Sequence, residues 1–188
     1  LVTPTSEDAS WGAEFDPNLM VIQWDALDPN KPNYGQATHW VSPEHKMDYF
    51  FQTGVRYTNN VSFEGADEKG SFRLSYTNDN ETGILPNSSM DKHVLNFNAS
   101  RNLSDKLTVD ANVSYTNQSA TGRYGTGYDG LNVMQSFAQW FQVNVDFQSL
   151  EQNYLRDDGS QLSWNSGYYD DLHPIYFDNP YWKIHERK

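Results

Sequence analysis

The strongest constraint on this chain is a two-residue rhythm that runs through four successive segments. Side chains of a β-strand alternate between two faces, whereas those of a helix recur every three or four residues. In the stretch LTVDANVSYT, residues 107–116, one face holds Leu107, Val109, Ala111, Val113 and Tyr115. The other holds Thr108, Asp110, Asn112, Ser114 and Thr116. Three earlier segments repeat the pattern. Val55, Tyr57, Val61 and Phe63 oppose Arg56, Thr58, Asn60, Ser62 and Glu64, with Asn59 the one exception. Phe72, Leu74 and Tyr76 oppose Ser71, Arg73, Ser75 and Thr77, and Leu95, Phe97 and Ala99 oppose Asn96, Asn98 and Ser100. The rhythm predicts an all-β fold with four antiparallel strands between residues 47 and 117.

The connections give a second clue. GADEKG (65–70) and NLSDK (102–106) read as short hairpin turns. NDNETGILPNSSMDK (78–92) is longer, and a still longer segment rich in Gly, Tyr, Trp and Asp occupies 118–180. In a meander, alternate connections lie at the same end, so short turns gather at one end and long loops at the other. Outer-membrane barrels are built this way, with short periplasmic turns and long extracellular loops. An antiparallel sandwich tolerates either loop length at either end. Pattern alone leaves both architectures open. Two details favour the barrel: the polar face is mostly Asn, Ser and Thr rather than the Lys and Glu of an exposed sheet, and the segments approach the roughly 9–11 residues of a membrane strand.

Composition restricts the partners. The formal net charge of −12 disfavours nucleic acid. Cysteine is absent, so no disulfide framework exists. No run approaches the roughly 18 apolar residues of a membrane helix. A barrel strand needs an apolar residue only at every second position, so a mean hydropathy of −0.80 is compatible with one. Residues 1–46 carry Pro4, Pro17, Pro29, Pro32 and Pro43, which argues for an irregular segment there.

Several stretches resemble a known family. FFQTGVRYTNNVSFEG, FRLSYTNDNETGILPNS, LNFNASRNLSDKLTVDANVSYTN and NPYW are similar to the early barrel of SusC/RagA-type TonB-dependent outer-membrane transporters, just after the plug. The likeness is strongest over residues 50–117 and fades over 118–178, where the family has a long variable loop. It implies about 22 transmembrane strands around a plugged lumen, in the outer membrane of a Gram-negative bacterium. It also implies import of oligosaccharides or peptides under a SusD-like surface lipoprotein, with the TonB complex acting through a plug not contained in these residues. Four strands cannot close such a barrel, so the chain is expected to form part of a larger one, with residues 181–188 opening the next strand. The competing functions are a soluble extracellular glycan-binding sandwich and a barrel with a structural or assembly role.

No catalytic or metal constellation emerges, and no enzyme activity or cofactor is expected. The five histidines lack metal-site spacing, and RDDGSQ (156–161) reads as an acidic turn. Candidate contacts with ligand or lid are Trp140, Trp164, Tyr168 and Tyr169, because flat aromatic faces stack on sugars and dominate interfaces. Packing of the 118–180 segment on itself is the alternative. Arg56, Arg73, Asp110 and Asn112 are expected to face the lumen, where the arginines would meet substrate or plug acids. Val109, Val113 and Tyr115 are expected to face outer-membrane lipid, with Val109 near mid-bilayer. Tyr49, Phe50 and Phe51 head the first segment and are read either as an aromatic girdle or as ordinary packing.

Overall fold

A computed structural model describes residues 1–7, 9–138, 140–168 and 178–186, with the side chains of Tyr168 and Glu186 not described. In chain order the elements are β1 (Asp16–Ile22), β2 (Ala37–Trp40), β3 (Val55–Asp67), β4 (Gly70–Thr82), β5 (Ser89–Ser104), β6 (Leu107–Thr121), α1 (Gln135–Ala138), α2 (Phe147–Gln152) and α3 (Pro180–Glu186). The fold is mostly β-strand in antiparallel sheets, with few and short helices. It divides into two compact units, one of Leu1–Phe51 with Tyr124–Lys188 and one of Gln52–Arg123.

The Gln52–Arg123 unit is a four-stranded meander in the order β3-β4-β5-β6. Its pairing register keeps like with like. Val61 faces Tyr76, Tyr76 faces Leu95, and Leu95 faces Tyr115. One residue along, Ser62 faces Ser75, Ser75 faces Asn96, and Asn96 faces Ser114. A slip of one residue would scramble the two faces, so the sequence specifies its own register. Hairpins close at Glu68–Lys69 and Asp105–Lys106, each two residues between paired strand ends.

The middle connection is shorter than expected. NDNETGILPNSSMDK does not form one loop, because β4 continues to Thr82 and β5 begins at Ser89. Only residues 83–88 remain between the strands, and Asn87 takes a left-handed φ of 57° there. The polar run stays extended because both ends find partners in the ladder: Asn78 pairs with His93, Asp79 with Lys92 and Asn80 with Asp91.

The other unit has a true core. Phe50, Phe137, Phe147, Leu150, Val133, Val145, Trp164 and Ile184 are all buried. Their rings interlock through edge and tilted contacts: Phe50 lies 4.9 Å from Phe137 and 5.1 Å from Tyr181, Phe137 lies 5.2 Å from Phe147, and Phe141 lies 5.3 Å from Phe147 and 5.1 Å from Trp164. Offset and edge geometries suit the ring quadrupole, and each aromatic brings a large apolar area. Asp146 organises the approach. Its carboxylate accepts from the Gln148 and Ser149 amides, capping α2, and from the His45 amide at 3.0 Å.

Four expectations are corrected here. The segment 1–46 is not wholly irregular: β1 and β2 pair antiparallel, and Val2 bridges to Ile22. The 118–180 segment is not one loop, since β6 runs to Thr121 and α1 and α2 follow. Residues 181–186 are not a strand but most of α3. Asn179 accepts the Tyr181 amide at 3.0 Å and Pro180 takes the first helical position, a pairing that starts helices. Finally, Tyr49, Phe50 and Phe51 do not head β3. Residues Met47–Phe50 form a 3₁₀ turn, and Phe50 is 1% exposed within the aromatic core.

Candidate functional site

The polar face of the meander gathers the residues expected to face a lumen. Its rows can be read from the register. Glu64, Arg73, Asn98 and Asn112 form one row, and Ala66, Ser71, Ser100 and Asp110 form the next. Between them runs an open groove of about 680 Å³. It brings Arg73, Asp110 and Asn112 together, and it adds Glu64, which lies directly opposite Arg73. Carboxylates, a guanidinium, amides and hydroxyls share this groove. Such a surface exchanges hydrogen bonds with water or with a polar ligand.

Arg56 belongs to a separate cluster nearer the 83–88 end. Its Nε and Nη2 donate to the two oxygens of Asp79 at 2.9 and 2.5 Å, a bidentate pair. The Thr58 hydroxyl donates to the same carboxylate at 3.0 Å, and Glu81 lies 3.9 Å from Arg56. Asp79 is the one buried side chain among the described residues of this unit. With Asp79 holding it, Arg56 is a fixed strut rather than a free cation. Sequence reasoning missed Asp79, although its parity on β4 matched that of Arg73 and pointed to the same face.

The opposite face carries a band of apolar side chains. Val61, Phe63, Phe72, Tyr76, Leu95, Val113 and Tyr115 are all exposed, and Phe63 is 65% exposed. Val113 lies in the middle of this band, opposite Phe97. Val109 is corrected: it pairs with Arg101, two residues from the hairpin, and so lies at the band's end rather than its middle. At the other end the same face turns polar. Asn59, Asn78, His93 and Asn117 form one row, next to the tyrosines Tyr76 and Tyr115. His93 Nε2 is hydrogen-bonded to Asp91 at 2.8 Å, and its Nδ1 to the Tyr76 hydroxyl at 2.6 Å. Asn78 donates to Asp91 at 3.0 Å and accepts from Asn80. This network too went unread in the sequence, because Asp91 and His93 share a parity with Leu95 and look like interruptions of the apolar rhythm.

The aromatic candidates scatter. Trp164 is fully buried against Phe141 and is a core residue, which removes it as a contact for ligand or lid. Trp140 is partly exposed and rests against Tyr128, ring centroids 5.5 Å apart. The Tyr168 backbone ends a 3₁₀ turn, and its side chain is outside what is described. Tyr169 lies outside the described residues. Among the described residues no group of three or more His, Asp, Glu or Cys could hold a metal ion. Burial raises the Tyr181 hydroxyl well above the ordinary tyrosine value, with Glu151, Tyr49 and Asp146 adding to it.

Comparison with known protein families finds no family model that matches this chain. Comparison with curated proteins finds no match either.

Proposed function

We propose that the Gln52–Arg123 meander is part of the wall of a large outer-membrane β-barrel, and that the chain serves a TonB-dependent importer of oligosaccharides or peptides. One observation carries the reading. Four long strands separate a polar and an apolar face row by row, yet no apolar side chain of this unit is buried. Water tolerates scattered apolar residues but seldom a contiguous apolar face. Lipid on that face removes the difficulty, and a wet lumen on the other satisfies the Asn, Ser and Thr rows.

Dimensions support the same reading. Leu107 to Tyr115 covers about 26 Å along a strand at ~3.3 Å per residue. With strands tilted near 40°, that is roughly 20 Å of height, close to the apolar band of about 25 Å in such barrels. Tyr76 and Tyr115 then lie where an aromatic girdle is expected, and the Asn59–Asn78–His93–Asn117 row lies beyond the hydrocarbon. Strands β3 and β6 each have one open edge in the sheet. In lipid those edges require further strands, because unpaired backbone groups are not tolerated there.

The resemblance to SusC/RagA-type transporters supplies the cargo class, the SusD-like lid and the link to TonB. In that scheme the groove lined by Glu64, Arg73, Asp110 and Asn112 faces the lumen and its plug. Membrane extraction tests the proposal. A chain released only by detergent supports it. A chain that is folded and monodisperse after a high-salt aqueous wash overturns it in favour of a soluble sandwich. Loss of uptake of a defined glycan or peptide on deletion then separates an importer from a structural barrel.

A further inference from the structure

The apolar face has a gap in it. Near the hairpin end its last two rows are Gly65, Phe72, Ala99 and Ala111, then Asp67, Gly70, Arg101 and Val109. Four of these eight positions are Gly or Ala. A Cβ on Gly70 would meet the Ser100 carbonyl at 2.2 Å and the Arg101 side chain at 3.0 Å. Arg101 therefore lies across Gly70, and its Nη1 reaches Asp67 two strands away at 2.7 and 2.9 Å. A Cβ on Gly65 would meet the Phe72 ring at 2.7 Å, so that ring leans over Gly65. Between these rows is a cavity of about 430 Å³, lined by Asp67, Arg101, Phe72, Gly65, Gly70 and Ala99 among others.

We infer that this cavity is a binding site for a zwitterionic glycerophospholipid whose head carries a primary ammonium. The inference rests on the membrane reading of the sheet, which puts this face against lipid and this row near the hairpin end of the apolar band, where the long Arg101 side chain reaches headgroup level. Charge complementarity selects the occupant. The site offers an ion pair rather than a lone cation. Arg101 uses Nη1 on Asp67 and keeps Nε and Nη2 without a partner among the described residues. Those two donors suit a phosphate oxygen pair. Asp67 accepts from Arg101 and from the Lys69 amide, and its side chain stays exposed enough to accept from an ammonium. A purely anionic head would meet Asp67 with repulsion. A quaternary ammonium would bring no N–H to it. Beside the pair, the small Ala99 leaves room for an acyl segment, and Phe72 gives it an aromatic wall.

The test uses the full chain, extracted in mild detergent and stripped of lipid, with bound lipids counted by native mass spectrometry. Phosphatidylethanolamine is expected to bind about ten-fold more tightly than phosphatidylcholine or phosphatidylglycerol, the effect of one charge-assisted hydrogen bond. Ala99→Leu fills the cavity and leaves the ion pair, and Arg101→Gln removes the phosphate donor. Each should weaken phosphatidylethanolamine binding about ten-fold. Asp67→Asn should erase the preference over phosphatidylcholine while phosphate binding persists. Equal binding of the three lipids, or unchanged binding in both Ala99→Leu and Arg101→Gln, overturns the site while leaving the barrel reading intact. A wild-type chain that needs no detergent sinks both together.

Discussion

The two units of this chain solve the problem of apolar surface in opposite ways. Leu1–Phe51 with Tyr124–Lys188 folds inward, its phenylalanines meeting edge to face around Trp164 and Leu150. Gln52–Arg123 has no such interior and leaves Val61, Phe63, Val113 and Tyr115 exposed on one side of a single sheet. Charge divides in the same way. The first unit holds 17 Asp and Glu against 6 Lys and Arg, whereas the sheet holds 8 against 7. An acidic surface around an aromatic core is readily hydrated. A near-neutral sheet with one greasy face is suited to a different solvent. On the proposed barrel reading, hydropathy averaged over the chain blends two solvents.

The comparison breaks most readily at the aromatic core. Phe147→Ala, which removes a ring touching Phe50, Phe137 and Phe141, is expected to cost about 3–5 kcal/mol. Trp11→Ala, at a side chain 90% exposed, should cost under about 0.5 kcal/mol. Urea unfolding of the full chain, followed by tryptophan fluorescence, measures both. Comparable losses at the two positions would mean that the core is not where the structure puts it.

The next effect falls on the sheet and reverses the usual rule. Val113→Arg, in the middle of the apolar band, should destabilise the folded state in lipid by about 2–4 kcal/mol, while its neighbour Asn112→Arg on the groove side is tolerated. Refolding into lipid vesicles at graded denaturant gives the two values. Equal tolerance would mean that neither face meets lipid. Val109→Arg is expected to be milder than Val113→Arg, because its row already holds Arg101.

How much of this was legible in the sequence also differs between the units, and for a physical reason. A strand writes its faces into the sequence as a period of two, so the alternation of 55–63, 71–77 and 107–116 located the sheet and its two faces. The interruptions were where the reading failed. Asn78, Asp79 and Asn80 looked like loop because polar residues cluster in turns, yet cross-strand pairing kept them extended. The aromatic core had no period to read. It draws Phe50 from before the sheet and Phe147 and Trp164 from after it, and such contacts leave no local signature. The helix at 180–186 did have one, the Asn179–Pro180 start, which the expectation of a strand opening at 181–188 passed over.

A smaller effect sharpens how the inward-folding unit is tied. Asp146→Ala removes the acceptor for the Gln148 and Ser149 amides and for the His45 amide. A lost cap costs about 0.5–2 kcal/mol. The distinguishing outcome is local. Hydrogen exchange should speed at His45 and at the start of α2, with the β3–β6 ladder unchanged. Faster exchange spread evenly over both units would contradict their separation.

The smallest effect at neutral pH concerns Tyr181, and it appears only in alkali. Burial of the ring raises its hydroxyl above the ordinary tyrosine value of about 10, aided by the nearby acids Glu151 and Asp146. The folded state therefore favours the neutral phenol more than the unfolded chain does. That preference contributes its full stability below the unfolded value of about 10. As pH rises beyond it, the unfolded chain ionises first and the contribution is lost. Stability of the aromatic unit should thus fall on the alkaline side of pH 10 in the wild type. In Tyr181→Phe, which keeps the ring against Phe50 and has no proton to lose, the fall should be shallower, while stability at pH 7 stays close to wild type. Denaturant midpoints measured from pH 8 to 11 decide the matter. Parallel alkaline limbs in the two proteins would show that this hydroxyl is not buried. The β3–β6 ladder, which lacks Tyr181, should show no such difference by hydrogen exchange, and that contrast separates a titration inside the aromatic core from a general effect of alkali on the chain.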